Sequence, residues 1–268
     1  MRSNSDTVIR LGPPSGLVLS PYTADHVDVY HGWMKDAALL EARRRRGCVC
    51  PSVGFHSVRP YINPSIPQAT ASESLSLEDE RTAQRSWRAD PRKATWILHH
   101  PDAPSRSAVC ARLRAGMVGD VNLYLDEGTE DEEEEGVDTE GTSPSRPLRA
   151  EVEVMVAVPT LRRRGLAAAA VRAAVGWAAT SLGVTRFVAK ILESNEASLA
   201  LFRGPSLGFV EYRRVACFGE LHLALPSAGV DAFAAAWVAG RRKGGGVEVE
   251  RVSWAHSDSD PEDPDASL

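Results

Sequence analysis

The chain has 268 residues, enough for one sizeable domain or two small ones, and 43% of them are hydrophobic, so a full core can be buried. A net charge of −5 argues against a general nucleic-acid binder. No apolar run is long enough to span a bilayer, and the polar start, Met1 to Asp6, lacks the apolar centre of a signal peptide.

In chain order, residues 1–16 read as an N-terminal segment. Leu17 to Ser20 reads as a short opening strand ended by Pro21. Thr23 is the expected N-cap of a helix through Met34, with Val27, Tyr30 and Met34 on its buried face. Residues 43–69 interrupt this order. Arg43-Arg44-Arg45-Arg46 is followed by Gly47-Cys48-Val49-Cys50-Pro51 and a Pro-, Ser- and Asn-rich stretch. It reads as a disordered insertion or as translated intron; an acidic surface or nucleic acid is the other reading of the four arginines. A second helix is expected from Leu77 to Trp87, capped by Ser76 or Ser74, with Ser76 and Asp79 approximating a capping box. Thr95 to His99 and Met117 to Leu125 read as strands joined by a Pro-containing loop.

Residues 127–147 are acidic, then Gly-, Ser- and Pro-rich, and read as a disordered hairpin loop. Arg149 to Val158 reads as the central strand. An alanine-rich helix to about Leu182, a strand over Phe187 to Leu192, a short helix over Ala197 to Arg203 and a closing hairpin up to Leu225 follow. Residues 226–268 read as a further helix, Val230 to Ala239, and a disordered acidic tail.

Arg162-Arg163-Arg164-Gly165-Leu166-Ala167 opens the alanine-rich helix. Cations at a helix start are disfavoured by the helix dipole, so three of them call for an anion. A phosphate would meet the free amides of the first turn and the guanidinium groups together. Gly165 and Ala167 keep the backbone open to it. The bland reading is a solvated basic helix start. The pattern R-x-x-G-x-A after a strand resembles the acetyl-CoA pyrophosphate loop of the GNAT (Gcn5-related) N-acetyltransferases.

The resemblance runs further. Pro21-Tyr22-Thr23-Ala24-Asp25-His26, Leu77-Glu78-Asp79-Glu80, Ser86-Trp87 and Met117-Val118-Gly119-Asp120-Val121-Asn122-Leu123 are similar to successive blocks of the N-acetyltransferase 9-like family. So are Glu151-Val152-Glu153-Val154-Met155-Val156-Ala157, Phe187-Val188-Ala189-Lys190-Ile191, Asn195-Glu196-Ala197-Ser198 and Leu207-Gly208-Phe209. The match implies a GNAT domain over residues 17–225. Its fold is α/β, the acyl-CoA N-acyltransferase fold, with a mixed central sheet whose central strands splay apart and are flanked by helices.

By resemblance, pantetheine enters between the strands at Glu151–Val158 and Phe187–Leu192. Backbone groups of Val156, Ala157 and Val158 would hold it, with an amide near Met155 or Val156 at the oxyanion. The pyrophosphate would rest on Arg162, Arg163, Arg164, Gly165, Leu166 and Ala167. Glu151 and Glu153 share one strand face with Met155. Glu153 is the first choice as general base and Glu151 the alternative; both also read as salt-bridged or solvated carboxylates. Asn195 and Ser198 are expected near pantetheine and the sulfur, or serve as caps. Where many of these enzymes carry a tyrosine acid seven residues after the asparagine, this chain has Phe202, which has no proton to give.

The resemblance thus implies an acetyl-CoA-dependent N-acetyltransferase acting on a protein or peptide amine, an N-terminus or a lysine. A small-molecule amine is a third acceptor. A fold-retaining protein-binding module with little turnover is the competing class. Cys48, Cys50, Cys110 and Cys217 show neither C-x-x-C nor zinc spacing, so reduced thiols and no metal are expected. No specific nucleic acid, no membrane, a monomer and a cytoplasmic location, with the nucleus as alternative, complete the expectation.

Overall fold

The computed structural model describes residues 4–36, 75–104, 108–127 and 147–252. The 43–69 stretch, the body of the 127–147 stretch and the chain beyond Val252 lie outside them. The described strands are β1 (Thr7–Leu11), β2 (Val18–Pro21), β3 (Lys93–His100), β4 (Gly116–Glu127), β5 (Leu148–Val156), β6 (Arg186–Leu192), β7 (Val210–Val215), β8 (Glu220–Ala224) and β9 (Val247–Arg251). The helices are α1 (Val27–Lys35), α2 (Leu77–Ala89), α3 (Ala108–Leu113), α4 (Leu166–Leu182), α5 (Glu196–Arg203) and α6 (Ser227–Gly240).

The strands form one sheet in the order β7-β8-β6-β5-β4-β3-β2-β1-β9. Among the described strands β5 and β6 are the one parallel pair; the rest run antiparallel. A parallel pair needs a crossover, and α4 supplies it. The mixed α/β sheet expected from the sequence is present. It extends past both expected ends of the domain: β1 lies before residue 17, and β9 lies in what reads as tail.

The two larger of three core clusters among the described residues lie on opposite faces. Alternation along β5 sends Ala150, Val152 and Val154 to the larger one, with Val171, Val175 and Trp177 of α4, Phe187 of β6 and Phe202 of α5. Alanines and Gly176 let α4 approach both the sheet and α6. A Cβ on Gly176 would lie 2.7 Å from Trp237 Cβ. The other face carries Met155 and Ala157 against Tyr22, Val27, Tyr30 and Ile97, under α1 and α2.

Of the two expected caps, Ser76 is found, while the residue before α1 is His26 rather than Thr23. Ser76 Oγ accepts from the Asp79 amide at 3.1 Å at the start of α2. Thr23 begins a single 3-10 turn, Ala24–His26, before α1, and its own amide donates to His26 Nδ1 at 3.0 Å. Among the described residues, no helix is long and apolar enough to cross a membrane.

Candidate active site

The pairing of β5 with β6 covers three rungs, Arg149↔Arg186, Ala150↔Phe187 and Glu151↔Val188. Beyond Glu151, β5 keeps only β4, as far as Gly119↔Val156. Beyond Val188, β6 keeps only β8, as far as Leu192↔Glu220. A wedge therefore opens between the two strands toward their C-terminal ends. The Ala157 amide turns to β4, donating to Val118 O at 2.7 Å. By alternation, the N–H and C=O groups of Val152, Val154 and Val156 face the wedge, and those of Glu153 and Met155 face β4. Of the two amides expected at an oxyanion, Val156 thus faces the gap and Met155 does not.

A second single 3-10 turn, Pro159–Leu161, follows β5 and leads to the basic loop. Arg163 has φ 60° and Gly165 has φ 79°. Nothing lies within 4 Å of where a Gly165 Cβ would be. The glycine is thus demanded by its left-handed backbone, and the space beside it is open. The first amides of α4 have no helical acceptor and face that opening end of the helix.

The three arginines do not act alike. Arg162 donates from Nε to Val156 O at 2.9 Å and from Nη2 to Ala157 O at 3.1 Å. Its guanidinium lies on the strand carbonyls expected to meet pantetheine, where the sequence reading had it facing phosphate. Arg164 Nη1 donates to Asp102 Oδ2 at 2.8 Å, a hydrogen bond that holds the exposed Asp102 carboxyl below its ordinary range. Arg163 is exposed, while Leu166 is buried and Ala167 half-buried at the first turn of α4.

Across the wedge, Asn195 caps α5. Its Oδ1 accepts from the Ser198 amide at 3.0 Å. The residue is only 2% exposed, and its Nδ2 is buried with no hydrogen-bond partner among the described residues. A buried donor without an acceptor is costly, and a ligand carbonyl or water beside it would relieve it. Ser198 is half-buried one turn into the helix. Phe202 is 3% exposed and meets Phe209 edge to face at 5.0 Å between ring centroids, inside the larger core.

Glu151 and Glu153 lie on the α1–α2 side of β5, half-buried. Lys190 Nζ sits 3.0 Å from Glu151 Oε2. Tyr124 OH donates to Glu153 Oε2 at 3.4 Å. Asn122, opposite Glu153, is fixed from both ends: Thr95 Oγ1 donates to its Oδ1 at 2.7 Å, and its Nδ2 donates to Asp120 Oδ2 at 2.8 Å. Tyr30 of α1 donates to the same Asp120 oxygen at 3.2 Å. Tyr22, Tyr30, Trp33 and Trp87 form an aromatic wall above this floor. Lys190, Tyr124 and Asn122 were missed by the sequence reading. Strand alternation would have found all three, because each falls on the face that carries the two glutamates.

The model of the family described as Acetyltransferase (GNAT) domain matches residues 16–210. An N-acetyltransferase 9-like protein of Caenorhabditis briggsae is 34% identical over 209 residues, 78% of this chain and 82% of that protein. Human alpha/beta-tubulin-N-acetyltransferase 9 is 34% identical over 227 residues, 84% of this chain and 86% of that protein. Among solved structures, a ribosomal L7/L12 alpha-N-protein acetyltransferase in complex with coenzyme A superposes with a TM-score of 0.52 at 13% identity. That match covers 82% of this chain and 99% of the other, and it speaks for the fold alone. With the wedge between β5 and β6 and relatives matched over most of their length, the chain belongs to the GNAT acetyltransferases, within the N-acetyltransferase 9-like family, and is an N-acetyltransferase.

Proposed function

We propose that the chain transfers acetyl from acetyl-CoA to a protein amine, an N-terminus first and a lysine second. The observation that carries the reading is the wedge, open on the backbone groups of Val152, Val154 and Val156, with Asn195, whose buried Nδ2 has no hydrogen-bond partner among the described residues, just past the end of β6. The thioester would supply the activated acetyl group. Pantetheine would lie along β5, which requires Arg162 to give up or share the Val156 and Ala157 carbonyls. Asn195 Nδ2 would donate to the arm, with Ser198 beside it and the Val158 backbone at its outer end. The pyrophosphate would rest on the amides of Leu166 and Ala167 beside Gly165, with Arg163 and Arg164 as its cations.

The amine must attack neutral. Glu153, with Glu151 as the alternative, would accept its proton directly or through one water. The amine nitrogen would then bond to the acetyl carbon, the C–S bond would break, and the Val156 amide would hold the developing oxyanion. With Phe202 packed in the core, the departing thiolate would take its proton from water. The relatives named for alpha/beta-tubulin support a protein acceptor, and tubulin is the first to try. A monomer acting in the cytoplasm or nucleus fits this reading.

Titration with acetyl-CoA followed by acetylation of an N-terminal peptide array tests it. Gly165→Glu puts bulk and negative charge where phosphate would rest. It should cost at least about 2 kcal/mol of acetyl-CoA binding. Unchanged affinity in the folded variant would sink the assignment. Binding without turnover on any peptide or tubulin would favour the protein-binding module.

A further inference from the structure

Lys190 stands two rungs beyond Val188, the last β6 residue paired with β5. Had the register continued from Glu151↔Val188, Lys190 would lie opposite Glu153. Its ammonium instead turns back to Glu151 Oε2 at 3.0 Å, with the two side chains 20% and 23% exposed. One cation is thus bound to the first of two carboxylates that share a strand face at the apex of the wedge.

The surrounding charges are placed so that this cation acts on β5. On β8, His222 lies opposite Lys190, 7% exposed, with Nε2 3.4 Å from Glu220 Oε2. Burial holds the His222 imidazole below the usual histidine range; the Glu220 hydrogen bond opposes this, and the Lys190 and Arg213 charges reinforce it. The ring turns to Glu220 and leaves Glu151 to Lys190. On β6, Arg186 stacks on the Tyr212 ring of β7 at 5.1 Å. On β5, Arg149 is held by both oxygens of Asp126 of β4 at 2.8 Å. Tyr124 of β4 reaches Glu153, Lys93 of β3 lies with Nζ 4.9 Å from the Tyr124 ring centroid, and Asp120 of β4 is held by Asn122 and Tyr30.

We infer that Lys190 is a positioning residue: by neutralising Glu151 it sets how readily Glu153 takes a proton from the acceptor amine. The inference rests on Glu153 being the base of the proposed function. Without Lys190, Glu151 becomes a bare like charge beside Glu153 and favours its protonated form. Without Glu151, the freed ammonium faces Glu153 and favours its ionised form.

The test is the pH profile of kcat/KM, with acetyl-CoA affinity and melting temperature measured alongside. Lys190→Met should move the acidic limb up by about one pH unit, and Glu151→Gln should move it down by about the same. The double variant should return it close to wild type, and Lys190→Arg should keep it there. Acetyl-CoA affinity should stay within about twofold throughout. An unmoved limb in Lys190→Met, or movement of both single variants in one direction, overturns the proposal. Should Lys190→Met not fold, Glu151→Gln carries the same sign test, and an unmoved or raised limb is fatal. Glu153→Gln separates the two readings. If it keeps turnover and an intact limb, the base assignment falls. If it loses turnover by roughly 10²-fold while Lys190→Met leaves the limb in place, Lys190 alone is wrong.

Discussion

At the scale of single residues, Gly119 shows how closely the wedge is drawn. A Cβ there would fall 1.9 Å from Met155 O, a backbone atom that cannot swing aside. Gly119→Ala would push β4 from β5 where Val156 leaves the sheet. It should cost about 1–3 kcal/mol in stability and weaken acetyl-CoA binding. Urea melts and titration would show both; wild-type values in each would mean the strands shift freely. A second residue-scale feature is the buried pair His26 and His99. Ser20 Oγ lies 3.3 Å from His26 Nε2 and 2.9 Å from His99 Nε2. Burial, with the neighbouring His99 charge, holds His26 well below its ordinary value. Burial takes His99 down to about 4, against a hydrogen bond to the Ala115 backbone. Above pH 6.5 both rings are neutral, folded or unfolded. Below it the unfolded chain takes protons that the fold refuses, so stability falls as the pH drops from 6.5 toward 4. His99 alone should cost about 2 kcal/mol by pH 5. Thermal melts at pH 7.5 and pH 5.0 check this, and equal melting temperatures would refute it.

At the scale of elements, α5 separates structure from binding. Asn195 caps it through Oδ1, while Nδ2 has no partner among the described residues. Asn195→Asp keeps the cap, and the favourable charge at a helix start offsets part of the cost of burying a carboxylate at a 2% exposed position, so its melting temperature should stay near wild type. Asn195→Ala should lose about 1 kcal/mol. Both remove the donor, and both should weaken acetyl-CoA by up to about tenfold. Wild-type affinity in Asn195→Asp would leave the residue as a cap only. The elements around the site were legible because each carries a local signal. Asp120, Asn122 and Tyr124 alternate with Val121, Leu123 and Leu125, and Gly183 ends the alanine run with φ 73°. The roles of the arginines were not legible. Three cations at a helix start announce charge, but which one meets a strand carbonyl depends on the left-handed turn at Arg163. α3 was read as loop, since six residues of Ala-Val-Cys-Ala-Arg-Leu show too little periodicity to stand out.

At the scale of the whole molecule, the missed strands are the two whose partners are most remote in sequence. Val247-Glu248-Val249-Glu250-Arg251 alternates cleanly, but its partner is Thr7–Leu11, and nothing local announces a pairing across the full length of the chain. The junction is well made. Arg251 Nη1 reaches both oxygens of Asp6 at 2.7 and 2.8 Å, Gly12 N donates to Gly246 O at 2.7 Å, and Val247 and Val249 pack against the larger core. Yet β1, β2, β3 and β4 lie between β9 and β5, and the wedge is bounded on its other side by β6. Stability and ligand binding should therefore separate. Ending the chain after Arg242 removes the half-buried Val247 and Val249, the buried Val252 and one flank of β1, at a cost of about 3–5 kcal/mol. That should lower the melting temperature by several degrees. Acetyl-CoA affinity below the melting range should stay within about twofold, because sites this far apart with no shared partners act independently. Val249→Asp is the milder companion, keeping the chain but placing a carboxylate against the core. A truncated protein that melts like wild type would make β9 an ornament of the sheet. One that folds but no longer binds acetyl-CoA would mean the far edge of the sheet is coupled to the wedge through all four intervening strands.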